Sequence, residues 1–302
     1  MVSAPEYTNF VDMETSSWLI NTKELMKFDV WPKECRRCEQ TELINETSIR
    51  LNMIEFDRCQ PKKDYLMVGG VLDNICNSAC QFCSEELSTK IGSLKTKQYP
   101  IVDNTKGFWS LPQDRITHLD LNGGEPSHSK NYKQVLANLP KNVQSIRLNT
   151  NCSTVLTELT SLVDRGVKVT VTVSFDGVGA VHDYVRWPIK WDKFLKNLLT
   201  YQTMPIELNL WTTVNALNIG DLLNIQNFIE QNRFNHSWAL LNSPGELNIE
   251  YQNNLTLTAK IPDSMVGIKK VIATKENNQE QLDAYIAKQD QLRGIKITDY
   301  IK

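Results

Sequence analysis

Four strand-length segments in the middle of this chain are polar on one face and apolar on the other. That alternation restricts the fold more than any other feature. Taking every second residue, one face reads His118, Asp120, Asn122; then Arg147, Asn149, Asn151; then Thr170, Thr172, Ser174, Asp176; then Glu207, Asn209, Trp211, Thr213. The opposite face reads Leu119, Leu121; Ile146, Leu148; Val169, Val171, Val173, Phe175; Leu208, Leu210. The segments span 116–122, 145–151, 167–175 and 206–214, with flanking strand candidates at 65–72 and 237–241. Helical patterns at 130–139, 155–165, 191–201 and 219–232 separate them, so strand alternates with helix as in a parallel sheet of βαβ units. Parallel strands covered on both faces are almost wholly apolar. Here each unpaired buried polar group would cost about 1–3 kcal/mol, repeated over four strands. The sheet is therefore expected to curl into an open barrel, its apolar face under the helices and its polar face lining a cavity.

Directly after the first strand candidate comes Cys76-Asn-Ser-Ala-Cys80-Gln-Phe-Cys83, a CxxxCxxC loop. Three thiolates on one loop can hold three irons of a four-iron, four-sulfur cluster and leave the fourth iron open to a small molecule. The alternative is a zinc clip, which usually takes four ligands and paired CxxC units. The second strand runs into Gly123-Gly124-Glu125-Pro126. Two glycines let a ligand's polar end approach the backbone closely, and Glu125 can accept from an amine.

The cysteine spacing, the aromatic Phe82 before the last cysteine, the upstream strand and the literal Gly-Gly-Glu-Pro together resemble the radical S-adenosylmethionine (SAM) enzyme superfamily. The resemblance covers 65 to about 245 well and implies an α/β fold, a partial (β/α)6 TIM-like barrel. It implies a cluster on Cys76, Cys80 and Cys83, with Phe82 beside it. Gly123, Gly124 and Glu125 would hold the amino group of SAM. Further matches stand where barrel enzymes keep their sites, at the carboxyl ends of strands. Asn149-Thr150-Asn151 resembles the family's Thr-Asn-Gly, with Cys152 in place of the glycine. Ser174-Phe175-Asp176-Gly177 resembles its Ser-Leu-Asp-Gly, whose serine contacts the SAM carboxylate. Arg186 matches an arginine that pairs with that carboxylate, a role suited to its bidentate fork. Asn151 and Asn215 are further cofactor contacts, Asn215 to the ribose. The implied chemistry is reductive cleavage of SAM to a 5′-deoxyadenosyl radical, which abstracts a substrate hydrogen. The electron comes from a donor such as flavodoxin or ferredoxin.

Residues 31–50, with Cys35-Arg-Arg-Cys38, resemble a segment of members carrying a Twitch or SPASM auxiliary-cluster module, and Cys59 is a third candidate ligand. No cysteine precedes Cys35, a departure from such relatives. The readings there are an auxiliary iron–sulfur cluster, zinc, or no metal. Cys152 is read as a small residue tolerated at a turn, with thiol hydrogen donor or cluster ligand as alternatives. His118, on the polar face, is a candidate substrate contact. The domain expectation is a small amino-terminal Twitch-like cysteine module over 1–64, the barrel over 65–245 and an extension over 246–302, with an exposed amphipathic helix at 277–292.

With 302 residues, the chain can bury about three quarters of its unfolded surface, enough for one large domain and an appendage. A net charge of −2 gives no electrostatic reason for nucleic acid or an anionic membrane as partner. No apolar run reaches membrane-spanning length, and no signal-peptide core opens the chain. Seven cysteines, three of them in the one loop, suit metal binding in a reducing cytoplasm better than disulfides. The expected substrate is a peptide, by analogy with module-bearing relatives; a nucleoside, sugar or other polar small molecule is the alternative. The reading of another class is a non-catalytic zinc or iron–sulfur interaction module.

Overall fold

A computed structural model describes residues 15–35, 65–96, 98–251, 261–270 and 279–301, with the single positions 13, 39, 42, 51, 54, 55 and 272. The chain divides into two compact units, Met1–Leu66 with Lys106–Ile116, and Met67–Thr105 with Thr117–Lys302. In the first unit, helix α1 (Ser17–Lys27) starts where the Ser16 hydroxyl accepts from the Leu19 N–H at 3.2 Å. That bond satisfies one of the amides a helix start leaves open. Cys35 closes a 3-10 turn, Lys33–Cys35, and donates its N–H to the Pro32 carbonyl at 2.9 Å. Cys38 and Cys59 lie outside the described residues.

The second unit carries a sheet whose strands are neighbours in chain order: β1 (Leu66–Val71), β2 (Ile116–Asn122), β3 (Ser145–Thr150), β4 (Lys168–Ser174), β5 (Glu207–Val214) and β6 (Asn235–Leu240). β2 to β6 pair in parallel. Helix α2 (Thr89–Lys95) follows β1, then α3 (Thr105–Ser110), which from Lys106 on belongs to the first unit, and α4 (Lys130–Ala137) follows β2. Then α5 (Glu158–Asp164) follows β3, α6 (Ala180–Val185) and α7 (Trp191–Gln202) follow β4, and α8 (Leu222–Asn232) follows β5. The last helix, α9 (Gln279–Arg293), comes after β6. Among the described residues β1 and β6 are the two ends of the strand order, so the (β/α)6 barrel is partial.

Register carries the two-faced pattern across the sheet. Leu121, Leu148, Val171 and Leu208 stand in one row, and Asp120, Arg147, Thr170 and Glu207 in the next. A slip of one residue would exchange the two faces, so the apolar rows fix the pairing. Tyr132, Val135 and Leu136 of α4, Leu159 and Leu162 of α5, Phe194 and Leu198 of α7, and Ile225 and Ile229 of α8 are buried with the apolar strand residues. Each such side chain contributes about 1.5–3 kcal/mol. The caps are local: Ser129 accepts from the N–H groups of Asn131 and Tyr132 at the start of α4, and Ser88 from that of Ile91 in α2.

One polar group interrupts this core. His182 is fully buried, 4.2 Å from the Phe194 ring and 5.6 Å from that of Trp191 between centroids. Neither of its ring nitrogens has a partner among the described residues. Burial, reinforced by the Arg186 charge, pushes its pKa down to about 3. An unfolded imidazole titrates near 6.5, so below that pH the unfolded chain binds a proton the folded chain refuses, and stability falls as pH falls towards 3. His182→Phe is expected to raise stability, since it removes a buried unpaired polar group worth about 1–3 kcal/mol. Urea melts at pH 7 and pH 5 check this: the advantage of the variant over wild type should be larger at pH 5.

Candidate active site

The carboxyl end of β1 leads into the cysteine loop, and that loop is seated directly on the end of β2. The Gly124 N–H donates to the Asp73 carbonyl at 2.7 Å, and the Glu125 N–H to the Ile75 carbonyl at 2.8 Å. Asp73 is fully buried; its carboxylate accepts from the Ile75 N–H at 3.0 Å and from the Ser129 hydroxyl. The two glycines are therefore required for a reason other than ligand approach. Gly123 has φ of 131°, and a Cβ on either glycine would collide with the carbonyl of Asp73 or of Ile75. The neighbour that needs the space is the chain's own backbone.

Glu125 is buried behind this crossing. Its carboxylate accepts from the Ser127 N–H (3.0 Å), the Ser127 hydroxyl (2.6 Å), the Thr150 hydroxyl (2.7 Å) and the Asn151 N–H (2.6 Å). Burial nevertheless pushes its pKa up, against the effect of those donors. It ties the end of β2 to the end of β3. Asn151 continues the line, donating from Nδ2 to Asn77 Oδ1 at 3.0 Å, with Cys76 Sγ 3.9 Å away.

Residues 76–83 are held on several sides. The Cys76 N–H donates to the Thr89 hydroxyl, which donates back to the Cys76 carbonyl. The Ala79 and Gln81 N–H groups donate to the carbonyls of Trp187 (2.8 Å) and Val185 (3.0 Å). Cys80 is buried, and its Sγ lies 3.1 Å from the Ser78 hydroxyl and 3.4 Å from Arg186 Nη1. Cys76 and Cys83 are half-buried. Burial first, and then the neighbouring thiol of Cys80, raises the pKa of the Cys76 thiol and pushes that of Cys83 up to about 12. Cys76 and Cys83 thus both sense the sulfur of Cys80. Among the described residues no group of three or more His, Cys, Asp or Glu is arranged to hold one metal ion. A four-iron cluster makes a different demand, since each thiolate ligates its own iron. Three soft donors on one restrained loop fit that demand.

Like Glu125 and Asn151, two more predicted cofactor contacts, Arg186 and Asn215, are engaged within the protein itself. The Arg186 Nε and Nη2 pair with the buried Asp176 carboxylate, Nη1 faces Cys80 Sγ, and the guanidinium lies 5.2 Å over the Phe82 ring. Burial alone would lower its pKa, but the Asp176 charge, aided by Cys80, holds it above the ordinary value. Asn215 Oδ1 accepts from the Leu217 N–H at 2.9 Å and Nδ2 donates to the Thr213 carbonyl at 2.8 Å, in the turn that ends β5. Ser174, by contrast, opens onto a cavity of about 480 Å³. The polar strand face lines that cavity with Asp120, Asn122, Arg147, Asn149, Thr170, Thr172, Asn209 and Trp211, joined by Ser237 of β6. The row pairing is visible there: Arg147 lies 3.6 Å from Asp120, and Asn149 donates to Asn122. His118 is not among the lining residues. Cys152 points elsewhere as well, its Sγ buried 3.8 Å from the Phe194 carbonyl. Its φ of 59° explains why glycine suits this turn in the resembling motif.

Asp73, Thr150 and Asp176 act in this site without having been singled out for it, and so does Arg293. Arg293, at the end of α9, donates to the carbonyls of Ala79 (2.8 Å) and Cys80 (3.0 Å). Asp73 and Asp176 stand beside motif residues and could have been suspected from position. Arg293 gives no local signal, and its helix, expected to be exposed, buries Leu282 and this arginine.

No family model matches the chain, and no curated protein matches it. Among solved structures it is similar to anSMEcpe with bound AdoMet, at 13% identity and a TM-score of 0.45, covering 63% of this chain and 54% of that one. It is similar to Streptococcus suis SuiB bound to S-adenosylmethionine, at 14% identity and a TM-score of 0.44, covering 91% and 60%. It is also similar to TsrM, a radical S-adenosylmethionine methyltransferase from Kitasatospora setae with cobalamin and a 4Fe-4S cluster bound, at 14% and 0.41, covering 58% and 36%. The chain spans little more than half the length of the first two. Function is read from the site residues themselves.

The crossing of the two backbones supplies a direct test. Gly124→Ala should destabilise by at least about 3 kcal/mol, the upper end for ordinary substitutions, because backbone on both sides must move. Gly107→Ala, where a Cβ meets nothing within 4 Å, should stay within about 0.5 kcal/mol or stabilise slightly. Urea unfolding of both variants reads the difference.

Proposed function

We propose that this chain is a radical SAM enzyme. Its catalytic loop is Cys76, Cys80 and Cys83, and its substrate occupies the polar barrel cavity. The observation that carries the reading is the seating of the CxxxCxxC loop on the Gly-Gly-Glu-Pro turn by the Gly124 and Glu125 amides. A scaffold without chemistry has no reason to join a three-thiol loop to a buried carboxylate just past a strand whose polar face lines a cavity. When bound, a four-iron cluster with SAM supplies one-electron cleavage of the sulfonium and a carbon radical able to abstract hydrogen. The electron is assigned to a flavodoxin- or ferredoxin-type donor, and the compartment to a reducing cytoplasm. Among the described residues no helix is long and apolar enough to cross a membrane.

The residues of the chain have separate tasks in this reading. Cys76, Cys80 and Cys83 hold the cluster, and Phe82 lies under the Arg186 guanidinium beside it. Glu125, buried at the end of β2, is assigned with the backbone of Gly123 and Gly124 to the amino group of SAM. Asn151 bridges Glu125 and the cysteine loop. Ser174 is assigned to the SAM carboxylate. Arg186, with all three nitrogens engaged, holds Cys80 and Asp176 and acts on the cofactor through them. Asn215 shapes the turn under the ribose. The barrel wall excludes bulk water and orients the substrate, as protein does in cofactor enzymes.

We assign a peptide as the substrate. Asn122, Asn149, Asn209, Thr170 and Thr172 offer donors and acceptors side by side, which is what backbone amides need, and Trp211 adds an apolar platform. Cys35, Cys38 and Cys59 are assigned to an auxiliary iron–sulfur cluster.

Replacing Cys76, Cys80 and Cys83 together by alanine should abolish reductant-dependent 5′-deoxyadenosine formation by anaerobically reconstituted protein. Product formation equal to wild type would end the radical SAM reading. Iron analysis tests the amino-terminal assignment independently. Wild type should hold about eight irons and a Cys35/Cys38/Cys59 triple alanine variant about four, the variant still cleaving SAM. Four irons with one zinc in wild type would make those cysteines a structural zinc site instead.

A further inference from the structure

We infer that Arg293 is a positioning residue of the cysteine loop, and that α9 is a working part of the site. Its electrochemical consequence rests on the cluster reading above; its geometry does not. Residues 79–81 lie between two supports. Their N–H groups on one side reach Trp187 and Val185, as described. On the other side all three consecutive carbonyls accept from α9: Ala79 and Cys80 from Arg293, and Gln81 from the Tyr285 hydroxyl at 2.7 Å. The loop backbone is thereby bonded on both edges, as a buried irregular segment requires.

The helix is itself anchored. Leu282 is buried with Tyr184, Val185, Leu217, Leu241 and Leu247. Asp290 accepts from the Tyr184 hydroxyl and from the Ile297 N–H, each at 2.8 Å. The same α6 segment thus supports the loop amides through Val185 and the helix through Tyr184.

Arg293 is an unusual choice for a merely structural bond. It is only 6% exposed. Its remaining partners are the Gln289 carbonyl and side-chain oxygen, and among the described residues no carboxylate forms an ion pair with it. Placing a cation in the interior without a counter-charge is strongly unfavourable. The Asp290 carboxylate acts on it at a distance, and the thiolates of the loop it holds would supply further negative charge there. Arg186 presents a second guanidinium to Cys80 from the other side, but that one is neutralised by Asp176. Arg293 is therefore a positive charge without an ion-pair partner among the described residues that a bound anionic cluster would meet, and it would favour the reduced, more negative state.

Arg293→Gln, Arg293→Lys and Tyr285→Phe test this. In the apo protein, hydrogen exchange of the peptide spanning 76–87 should be about ten- to hundredfold faster in Arg293→Gln, with a smaller increase in Tyr285→Phe, while β3 and β4 are unchanged. In the reconstituted protein, Arg293→Gln should lower the cluster's midpoint potential, and Arg293→Lys, which keeps the charge but not the fork, should restore it towards wild type. Wild-type exchange of the loop in both Arg293→Gln and Tyr285→Phe would overturn the positioning role. A potential unmoved by Arg293→Gln would overturn the electrostatic one. Failure of wild type to take up iron would count against the cluster reading, and the apo exchange measurement would still decide the positioning role.

Discussion

The N–H groups of Gly124 and Glu125, bonded to the carbonyls of Asp73 and Ile75, join the cysteine loop to the end of β2, and the rest of the site is arranged around that join. It forces glycine at two positions, because the second chain occupies the space of a side chain. It buries Asp73 and Glu125, and each burial has to be compensated by donors: Ser129 and Ile75 for one, Ser127, Thr150 and Asn151 for the other. Through Glu125 the ends of β2 and β3 become one unit with the loop. The placement of the loop's first residues is thus inherited from strand pairing. It does not depend on the loop's own stiffness.

Strand pairing in turn is fixed by the apolar rows on the helix-covered face, so the composition of the hidden face decides where the polar face points. Asp120, Arg147, Thr170 and Glu207 share one row because Leu121, Leu148, Val171 and Leu208 share the next. The cavity chemistry and the core are two readings of one register. His182 is the exception on the core side. It is a polar ring among aromatics, within the same α6 segment that supports the loop.

Most of the fold was legible because these rows are local in sequence: β2 was bounded to the residue, and β1, β3, β4, β5 and β6 to within about two residues. The main helices were found by the same periodicity, with α5 shorter than its pattern because Thr157 begins it without a side-chain cap. The cysteine loop and the Gly-Gly-Glu-Pro turn were legible as motifs. Their contact was not, because a backbone crossing leaves only the glycines as its trace. The engagement of Arg186 was hidden for a similar reason. Its fork suits any carboxylate, and only the fold shows that Asp176, ten residues earlier, already takes it. Arg293 was invisible, since nothing in a solvent-patterned helix marks its final arginine as buried.

The strand order has a consequence for how such a site comes into being. Each strand pairs with the one made just before it, so the sheet can assemble in the order of synthesis, with contacts that stay short along the chain. The loop does not share that schedule. Its amides find Val185 and Trp187 only after four strands exist, and its carbonyls wait for Arg293, 214 residues beyond Ala79. A nascent chain therefore has its barrel wall before the carbonyls of Ala79, Cys80 and Gln81 have their partners. Until then the cysteine loop is bonded along one edge only, and its final shape is the last part of the site to be set.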